Sequence, residues 1–428
     1  MDVLSLPHYD DAAAGTATDE LPPYSRRQSY LRPRTGSPRQ TTEHVFTITD
    51  SRNRPWAKLT ISSSAKSVKS LPTFFDKDAI NGTLELNADE KGDSIHAINA
   101  TITGRIITSA SSNDSTTFLS HTVPLWNRAP DGSCIFSPSP GVVGPRLRGH
   151  CVWPFSIPIP RTAGDARLPE TFVERHTSVS VQYEFCITIA RGKLRSDNQI
   201  KTTFGYVPST RPDPPSMLRQ ISYQQGTPIP GPQFDPEGWH ICPSVVSRGC
   251  VFKSRHIEVR CTLALALPLA YTRGSVIPCR LQIEGQDPQS LDLLSTPSAI
   301  VLCLQRRVHT QTAPSPLPFR DILSASCEDV GRAVWWPVNQ SCHGEHAYDR
   351  HFVREFEGEI SLSKDLKPSA AIGPFSLSYE VVLKPFDTAG FTPEPPVEIT
   401  TMYAKGPVPR PRVYAPPEYA SSPRDYDA

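Results

Sequence analysis

The chain has 428 residues and a formal net charge of +1, because 44 lysines and arginines balance 43 aspartates and glutamates. Such a neutral chain has no global field that draws it to phosphates, so we expect no nucleic-acid partner. The length favours two domains, and the 45 prolines favour short strands and loops over long helices.

Residues 1–43 are polar, rich in small residues and arginine, and show no hydrophobic period. They predict a disordered tail. The opening MDVLSLPHYDDAAAGTATDE lacks the apolar core of a secretory signal, and the longest apolar run, TLALALPLA, is too short to cross a bilayer. We therefore expect a soluble, cytoplasmic protein with reduced cysteines.

Two Leu-Pro-x-Tyr sequences lie in this N-terminal tail. Both are weaker variants of a Pro-Pro-x-Tyr sequence near the other end of the chain, and they are candidate binding sites for the same partner. Their residues are Leu6, Pro7 and Tyr9 in the first and Leu21, Pro22 and Tyr24 in the second.

The stretch 25–42 contains five arginines and no acidic residue, and we interpret it mainly as a solvated linker. Two alternatives stay open. Arginine three residues before serine, at Ser29 and again at Ser222, is a pattern that basophilic kinases use. The arginines would also favour peripheral association with anionic lipid.

Residues 44–207 alternate between apolar and polar side chains. In TSVSVQYEFCITIA (177–190), every second residue from Val179 to Ile189 is apolar. The HAINATITGRI stretch repeats the pattern. Period two over such lengths predicts long antiparallel strands with one buried face, which normally pack as sandwiches.

Strand signals stop over 208–237, which is rich in proline, glycine and glutamine and predicts a linker. Alternation returns over 238–402, for example in IEVRCTLALALP, and Cys261, Cys279 and Cys303 fall within strand-like segments as buried thiols. Helical period is nearly absent; QSLDLLS (289–295) predicts one or two turns. VQYEFCI and LSYEVVL, at the ends of the two halves, carry Tyr-Glu at matching places, which fits a tandem duplication.

No catalytic constellation is recognisable. The chain has no glycine-rich phosphate loop after a strand and no Gly-x-Ser-x-Gly sequence. The densest group of metal-ligand types, CHGEH (342–346), has no second ligand pair at suitable spacing and is interpreted as a polar loop. We expect neither an enzyme nor a bound cofactor or metal.

Residues 403–428 again predict a disordered tail, and they contain APPEYA (415–420). Pro416 and Pro417 favour a polyproline helix before binding, so little entropy is lost when they dock. WW domains offer an aromatic groove for such prolines and a pocket for a tyrosine at the position of Tyr419. This sequence predicts a WW-domain ligand.

The segments LPTFFDKDAINGTLEL, HCVWPFSIPIP with LPETF, VQYEFCITIARGK, and LALPLAYTRGSVIPCRLQIEG resemble those of the fungal α-arrestins, the arrestin-related trafficking adaptors. Thr171 stands where that family usually has serine. The resemblance covers roughly residues 45–400 and implies two arrestin-type, immunoglobulin-like β-sandwich domains in tandem.

The resemblance also implies an adaptor function. The domains would bind cytosolic segments of a membrane transporter or receptor, at the plasma membrane or endosomes, and the tail motifs would recruit a NEDD4-type HECT ubiquitin ligase for ubiquitination and endocytosis. Three alternatives remain: a signalling scaffold of the pH-sensing type, a vesicle-sorting subunit, and a carbohydrate-binding β-sandwich protein.

Overall fold

The computed structural model describes residues 41–50, 52–89, 92–108, 115–128, 147–173, 179–192, 195–251, 255–311, 323–338, 352–384 and 396–412. Over these ranges the chain is nearly all β, as predicted. The two α-helices described are α1 (Met217–Gln225) and α2 (Pro288–Leu294), and single 3-10 turns lie at Gly92–Ser94 and Pro236–Gly238. Neither described helix has the length and hydrophobicity needed to cross a membrane.

The strands of the first half form two main sheets and a two-stranded ribbon. They are β1 (Thr42–Thr49), β2 (Pro55–Ser63), β3 (Thr73–Phe75), β4 (Ala79–Asn87), β5 (Ile95–Ile107), β6 (Ser115–Asn127), β7 (His150–Pro158), β8 (Thr162–Ala163), β9 (Ala166–Arg167), β10 (Phe172–Val173), β11 (Ser180–Arg191) and β12 (Asn198–Val207). One sheet has the order β1-β2-β4-β7, and the other has β3-β12-β11-β5-β6 with β10 added on β11. The ribbon is β8-β9.

The strands of the second half belong to one eleven-stranded sheet. They are β13 (Trp239–Ile241), β14 (Val245–Val251), β15 (Arg255–Ala266), β16 (Ala270–Thr272), β17 (Val276–Gly285), β18 (Val301–Gln311), β19 (Leu323–Pro337), β20 (Phe352–Ser361), β21 (Ala370–Ile372), β22 (Phe375–Lys384) and β23 (Pro396–Thr400). The order is β13-β15-β17-β20-β19-β18-β22-β23-β16, with β14 on β15 and β21 on β22.

The second half repeats the strand arrangement of the first. β3 runs parallel to β12, as β16 runs parallel to β23. β11 lies between β12 and β5, and β22 lies between β23 and β18; β4 lies between β2 and β7, and β17 lies between β15 and β20. The halves differ at β19, which also pairs with β20 and so joins two sheets into one. This correspondence fits the tandem duplication that the matching Tyr-Glu pairs suggested.

The correspondence between the halves extends to single hydrogen bonds. The Tyr183 hydroxyl donates to the carbonyl oxygen of Pro169 at 2.7 Å, and the Tyr379 hydroxyl donates to that of Lys367 at 2.6 Å. Both rings are fully buried, so each hydroxyl needs such an acceptor. The Tyr-Glu pair therefore marks one structural position in both halves.

A tight turn also recurs. Residues 75–78 and 272–275 each close with a hydrogen bond from the fourth N–H to the first carbonyl, at 2.9 and 3.0 Å. The third residue has positive φ in both turns, +73° at Lys77 and +78° at Gly274, as a type II turn requires. Glycine adopts this backbone without strain, whereas Lys77 does so at a cost.

The apolar side chains of the alternating segments are the ones that the fold buries. In β11 every second side chain from Val181 to Ile189 is at most 1% exposed, whereas Gln182, Glu184 and Thr188 reach solvent in part. Cys261, Cys279 and Cys303 are buried as predicted. The alternating positions of the two halves form the hydrophobic core.

The predicted linker, 208–237, contains no strand, but it is not without structure. Helix α1 begins after Ser216, whose side chain accepts a hydrogen bond from the Arg219 N–H, and it ends at Gly226, where φ is +71°. Helix α1 gives no helical hydrophobic period in the sequence, because its buried face consists of Arg219, Ser222 and Tyr223 rather than aliphatic residues. The short helix expected near 289–295 is α2.

The two halves belong to one compact unit that begins at Thr41. β1 begins at Thr42, just inside the stretch assigned to the N-terminal tail. The division of the chain into two domains, 44–207 and 238–402, stays a prediction.

Candidate functional site

Most of the residues that the sequence assigns to partner binding lie outside the described part of the chain. These are the Leu-Pro-x-Tyr residues Leu6, Pro7, Tyr9, Leu21, Pro22 and Tyr24, the phosphorylation candidate Ser29, and Pro416, Pro417 and Tyr419. Their roles stay predictions. The structure describes part of the segment that leads to Pro416, and this described part ends at Arg412.

Ser222, a candidate for phosphorylation, lies within α1, and its modification stays a prediction. Ser222 is 5% exposed, and its hydroxyl donates to the Leu218 carbonyl oxygen at 3.1 Å within α1. Arg219, which a kinase would have to read, is 1% exposed. The Arg-x-x-Ser pattern here serves helix packing, because both side chains lie on the buried face of α1.

Arg219 fixes α1 to the second half. Its two terminal nitrogens donate to the carbonyl oxygens of Leu267, at 2.8 Å, and of Gly238. Its guanidinium lies 4.9 Å from the centre of the Trp239 ring, a cation–π distance. Burial lowers the pKa of Arg219, which measures the cost of enclosing this cation.

A second arginine, Arg280, lies beside Trp239 and makes its own set of polar contacts. Arg280 lies 5.8 Å from the Trp239 ring, donates to the Ile229 carbonyl oxygen at 3.2 Å and forms an ion pair with Glu357. In the strand register, Glu357 of β20 lies opposite Arg280 of β17 and opposite Trp336 of β19. Three adjacent strands thus present a cation, a carboxylate and an indole in one row.

Arg412 packs into this row. Its main-chain N–H donates to Glu359, at 3.0 Å to Oε2 and 3.3 Å to Oε1, and its guanidinium pairs with Glu357. The guanidinium also lies 5.8 Å from the Trp336 ring. We call Arg280, Trp336, Glu357 and Glu359 the anchor cleft, and residues 403–412 the anchor segment.

The anchor segment corrects the predicted boundary of the C-terminal tail. The sequence assigned all of 403–428 to a disordered tail, but residues 403–412 lie against the folded chain. A methyl group on Gly226 would be 3.6 Å from Arg410 Nη1, so this segment passes the end of α1 before reaching the cleft. The error arose because composition alone does not reveal that Glu357 and Glu359 share one face of β20.

A separate cluster joins the two halves. Glu170, which precedes β10 and is 7% exposed, accepts hydrogen bonds from Arg273 Nη1 at 2.8 Å and from Lys367 Nζ at 2.7 Å. Next to it, the rings of Phe172 and Phe375 are 5.5 Å apart. We call Glu170, Arg273 and Lys367 the interface cluster; its members are too far apart in sequence for a motif to show them.

Main-chain contacts reinforce this junction. The N–H groups of Thr210 and Thr401 each donate to the other residue's hydroxyl oxygen, at 2.9 and 3.0 Å. The Met402 N–H donates to the Thr210 carbonyl oxygen at 2.9 Å. The end of the second half is therefore tied to the start of the connecting segment.

Two of the buried thiols, Cys261 and Cys279, are poor nucleophiles at neutral pH. Burial raises the pKa of Cys261 to about 12 and raises that of Cys279 well above its ordinary value. A thiol reacts as its thiolate, so these two groups are inert in the folded chain.

Among the described residues, no three His, Cys, Asp or Glu side chains are placed to hold a metal ion. The CHGEH stretch lies outside those residues.

No protein-family model matches this chain, and no curated protein matches it.

Proposed function

We propose that this chain is a non-enzymatic adaptor of the arrestin-related type. Its paired β-sheet halves bind cytosolic segments of a membrane transporter or receptor. Its tails recruit a WW-domain HECT ubiquitin ligase of the NEDD4 type, which ubiquitinates the bound cargo and marks it for endocytosis. The protein is cytoplasmic and is recruited to the plasma membrane or endosomes.

The observation that carries the proposal is the order Pro416-Pro417-Glu418-Tyr419. Two adjacent prolines favour a polyproline helix before binding, and a WW domain has a separate pocket for a tyrosine at this spacing. The all-β fold supports the proposal, because a rigid double sheet presents broad surfaces for binding another protein.

The mechanism is tethering rather than chemistry. A ligase bound at Tyr419 is held at high effective concentration beside whatever the sheets bind, so it can modify cargo lysines without contacting them specifically. Pro416 is the fourth residue after Arg412, and four extended residues span at most about 14 Å. With Arg412 in the anchor cleft, the ligase is held close to the second half.

A pulldown of the full chain with an array of isolated WW domains tests the proposal. Tyr419→Ala should abolish most of the binding. Tyr414→Ala and Tyr426→Ala are matched controls, since both remove a tyrosine from the same tail outside the Pro-Pro-x-Tyr sequence. They should leave binding unchanged.

A triple change at Tyr9, Tyr24 and Tyr419 removes all three candidate sites, and Tyr30→Ala is the control for the N-terminal tail. If the triple variant binds WW domains as well as the unmodified chain, the ligase-recruiting function is wrong.

A further inference from the structure

The anchor cleft has the chemistry of an arginine-binding site. Glu357 and Glu359 are two residues apart on β20, so their side chains lie on one face of the sheet. Trp336 is directly across from Glu357 on β19 and offers an indole face. Paired carboxylates beside an aromatic ring suit a guanidinium, which combines ionic hydrogen bonds with stacking.

The two carboxylates of the site differ in burial: Glu357 is 22% exposed and pairs with an Arg412 side chain that is 42% exposed, whereas Glu359 is buried. Glu359 is 5% exposed, and a carboxylate so far from water is stable only with hydrogen-bond donors. Arg412 supplies one, because its N–H lies within 3.3 Å of both Glu359 oxygens. Arg280 and the Arg412 guanidinium approach different oxygens of Glu357, which is therefore shared between two cations.

The anchor segment is held at both ends. At its start, the Met402 N–H donates to Thr210 and the Met402 carbonyl oxygen accepts from the Thr272 hydroxyl at 2.8 Å. At its end, Arg412 occupies the cleft. If the cleft were empty, the last of these fixed points before Pro416 would be Met402, fourteen residues away instead of four.

We propose that the anchor cleft is a binding site for an arginine side chain, filled by the chain's own Arg412, and that its occupancy sets where the C-terminal tail leaves the folded protein. Occupied, it keeps Pro416 within about 14 Å of the cleft. Empty, it leaves a fourteen-residue tether with a root-mean-square reach of about 20 Å and a much longer maximum. The effect on a bound ligase rests on the proposed function; the binding site does not.

Hydrogen exchange of the full chain, followed by mass spectrometry, tests the site without any ligase. In Arg412→Gln, the amide of residue 412, which donates to Glu359, should exchange about tenfold faster or more, because the side-chain contact with Glu357 no longer holds it in place. Glu357→Gln should have a similar effect, because it removes the carboxylate with which the Arg412 guanidinium pairs. Arg412→Lys keeps the charge without the planar fork and should fall between.

Arg410→Gln is the matched control, since it removes the same charge from the same segment beside Gly226 rather than in the cleft. It should leave exchange within about twofold of the unmodified chain. Equal exchange in Arg412→Gln and the unmodified chain, or equal acceleration by Arg410→Gln, would overturn the proposal.

The same variants separate this inference from the proposed function. Arg412→Gln retains Pro416, Pro417 and Tyr419, so an isolated WW domain should bind it as well as the unmodified chain. Loss of WW binding only in Tyr419→Ala, together with fast exchange only in the cleft variants, supports both. Fast exchange without any WW binding supports the cleft and contradicts the ligase.

Discussion

Glu170 and Arg273 lie in different halves of the chain and meet at 2.8 Å. Lys367, also from the second half, contacts the other oxygen of the same carboxylate at 2.7 Å. Glu170 is nearly fully buried, and the Arg273 and Lys367 side chains are 20% and 34% exposed. One carboxylate thus bridges two cations where the halves join, so its loss affects both.

Glu170→Gln should destabilise the folded chain by about 2–4 kcal/mol, because it leaves two partly buried cations without their counter-charge. Urea unfolding monitored by tryptophan fluorescence measures the change. Glu184→Gln is the control: Glu184 pairs with Lys201 at 4.0 Å on the outward face of β11. It should change stability by less than about 1 kcal/mol, and an equal effect of both variants would contradict the role assigned to Glu170.

Tyr183→Phe and Tyr379→Phe should destabilise by similar amounts, about 0.5–1.5 kcal/mol each, because each removes the hydroxyl through which a buried ring donates to a main-chain carbonyl oxygen. Tyr403→Phe is the control, because this side chain is exposed and its hydroxyl makes a long hydrogen bond, 3.5 Å, to the Gly274 carbonyl oxygen. Unfolding in denaturant compares all three. A large effect in one half and none in the other would show that the two positions are not equivalent.

The sequence predicted those parts of the fold that follow from local pattern. Period two in the stretch that became β11 fixed which of its faces is buried, and the repeated Tyr-Glu pair identified equivalent positions. The sequence did not predict α1, because a helix whose buried face is Arg219 and Tyr223 leaves no aliphatic period.

The anchor cleft and the interface cluster were also beyond prediction. Glu170 meets Arg273 and Lys367 across 103 and 197 residues, and Arg412 meets Glu359 across 53. Such pairs exist only after the strands are in register. The burial of Ser222 was equally unpredictable, because a kinase motif does not show whether its serine is buried.

Stability should decline in alkaline solution. Burial raises the pKa of Cys261 from 9.0 to about 12, so above pH 9 the unfolded chain loses a proton that the folded chain keeps. Ionisation then favours unfolding, and this contribution to stability is lost as the pH rises from about 9 to 12. Tyr206 and Tyr223, with pKa values raised from 10.0 to about 12, act in the same direction.

Cys261→Ala isolates the thiol. This variant should have a lower free energy of unfolding than the unmodified chain at pH 8. The difference should shrink by about 1.4 kcal/mol between pH 8 and pH 10, because the unmodified chain loses the stabilisation that its buried, protonated thiol provides. Urea unfolding at both pH values measures the deficit. Cys327→Ala, at an exposed cysteine, should show a constant difference. A deficit in Cys261→Ala that does not depend on pH would contradict this assignment.

The two tails should act together on a ligase that carries several WW domains. With a single WW domain as the probe, Tyr9→Ala combined with Tyr24→Ala should leave the affinity for the Tyr419 site unchanged. With a tandem WW probe, the same double change should weaken binding, by as much as about 10²–10⁴-fold, because the second contact becomes intramolecular only when both tails are intact. Surface plasmon resonance with the probe in solution compares the two cases. Equal affinities of the tandem probe for the unmodified chain and the double variant would mean that Tyr9 and Tyr24 contribute nothing, and that the C-terminal sequence alone recruits the ligase.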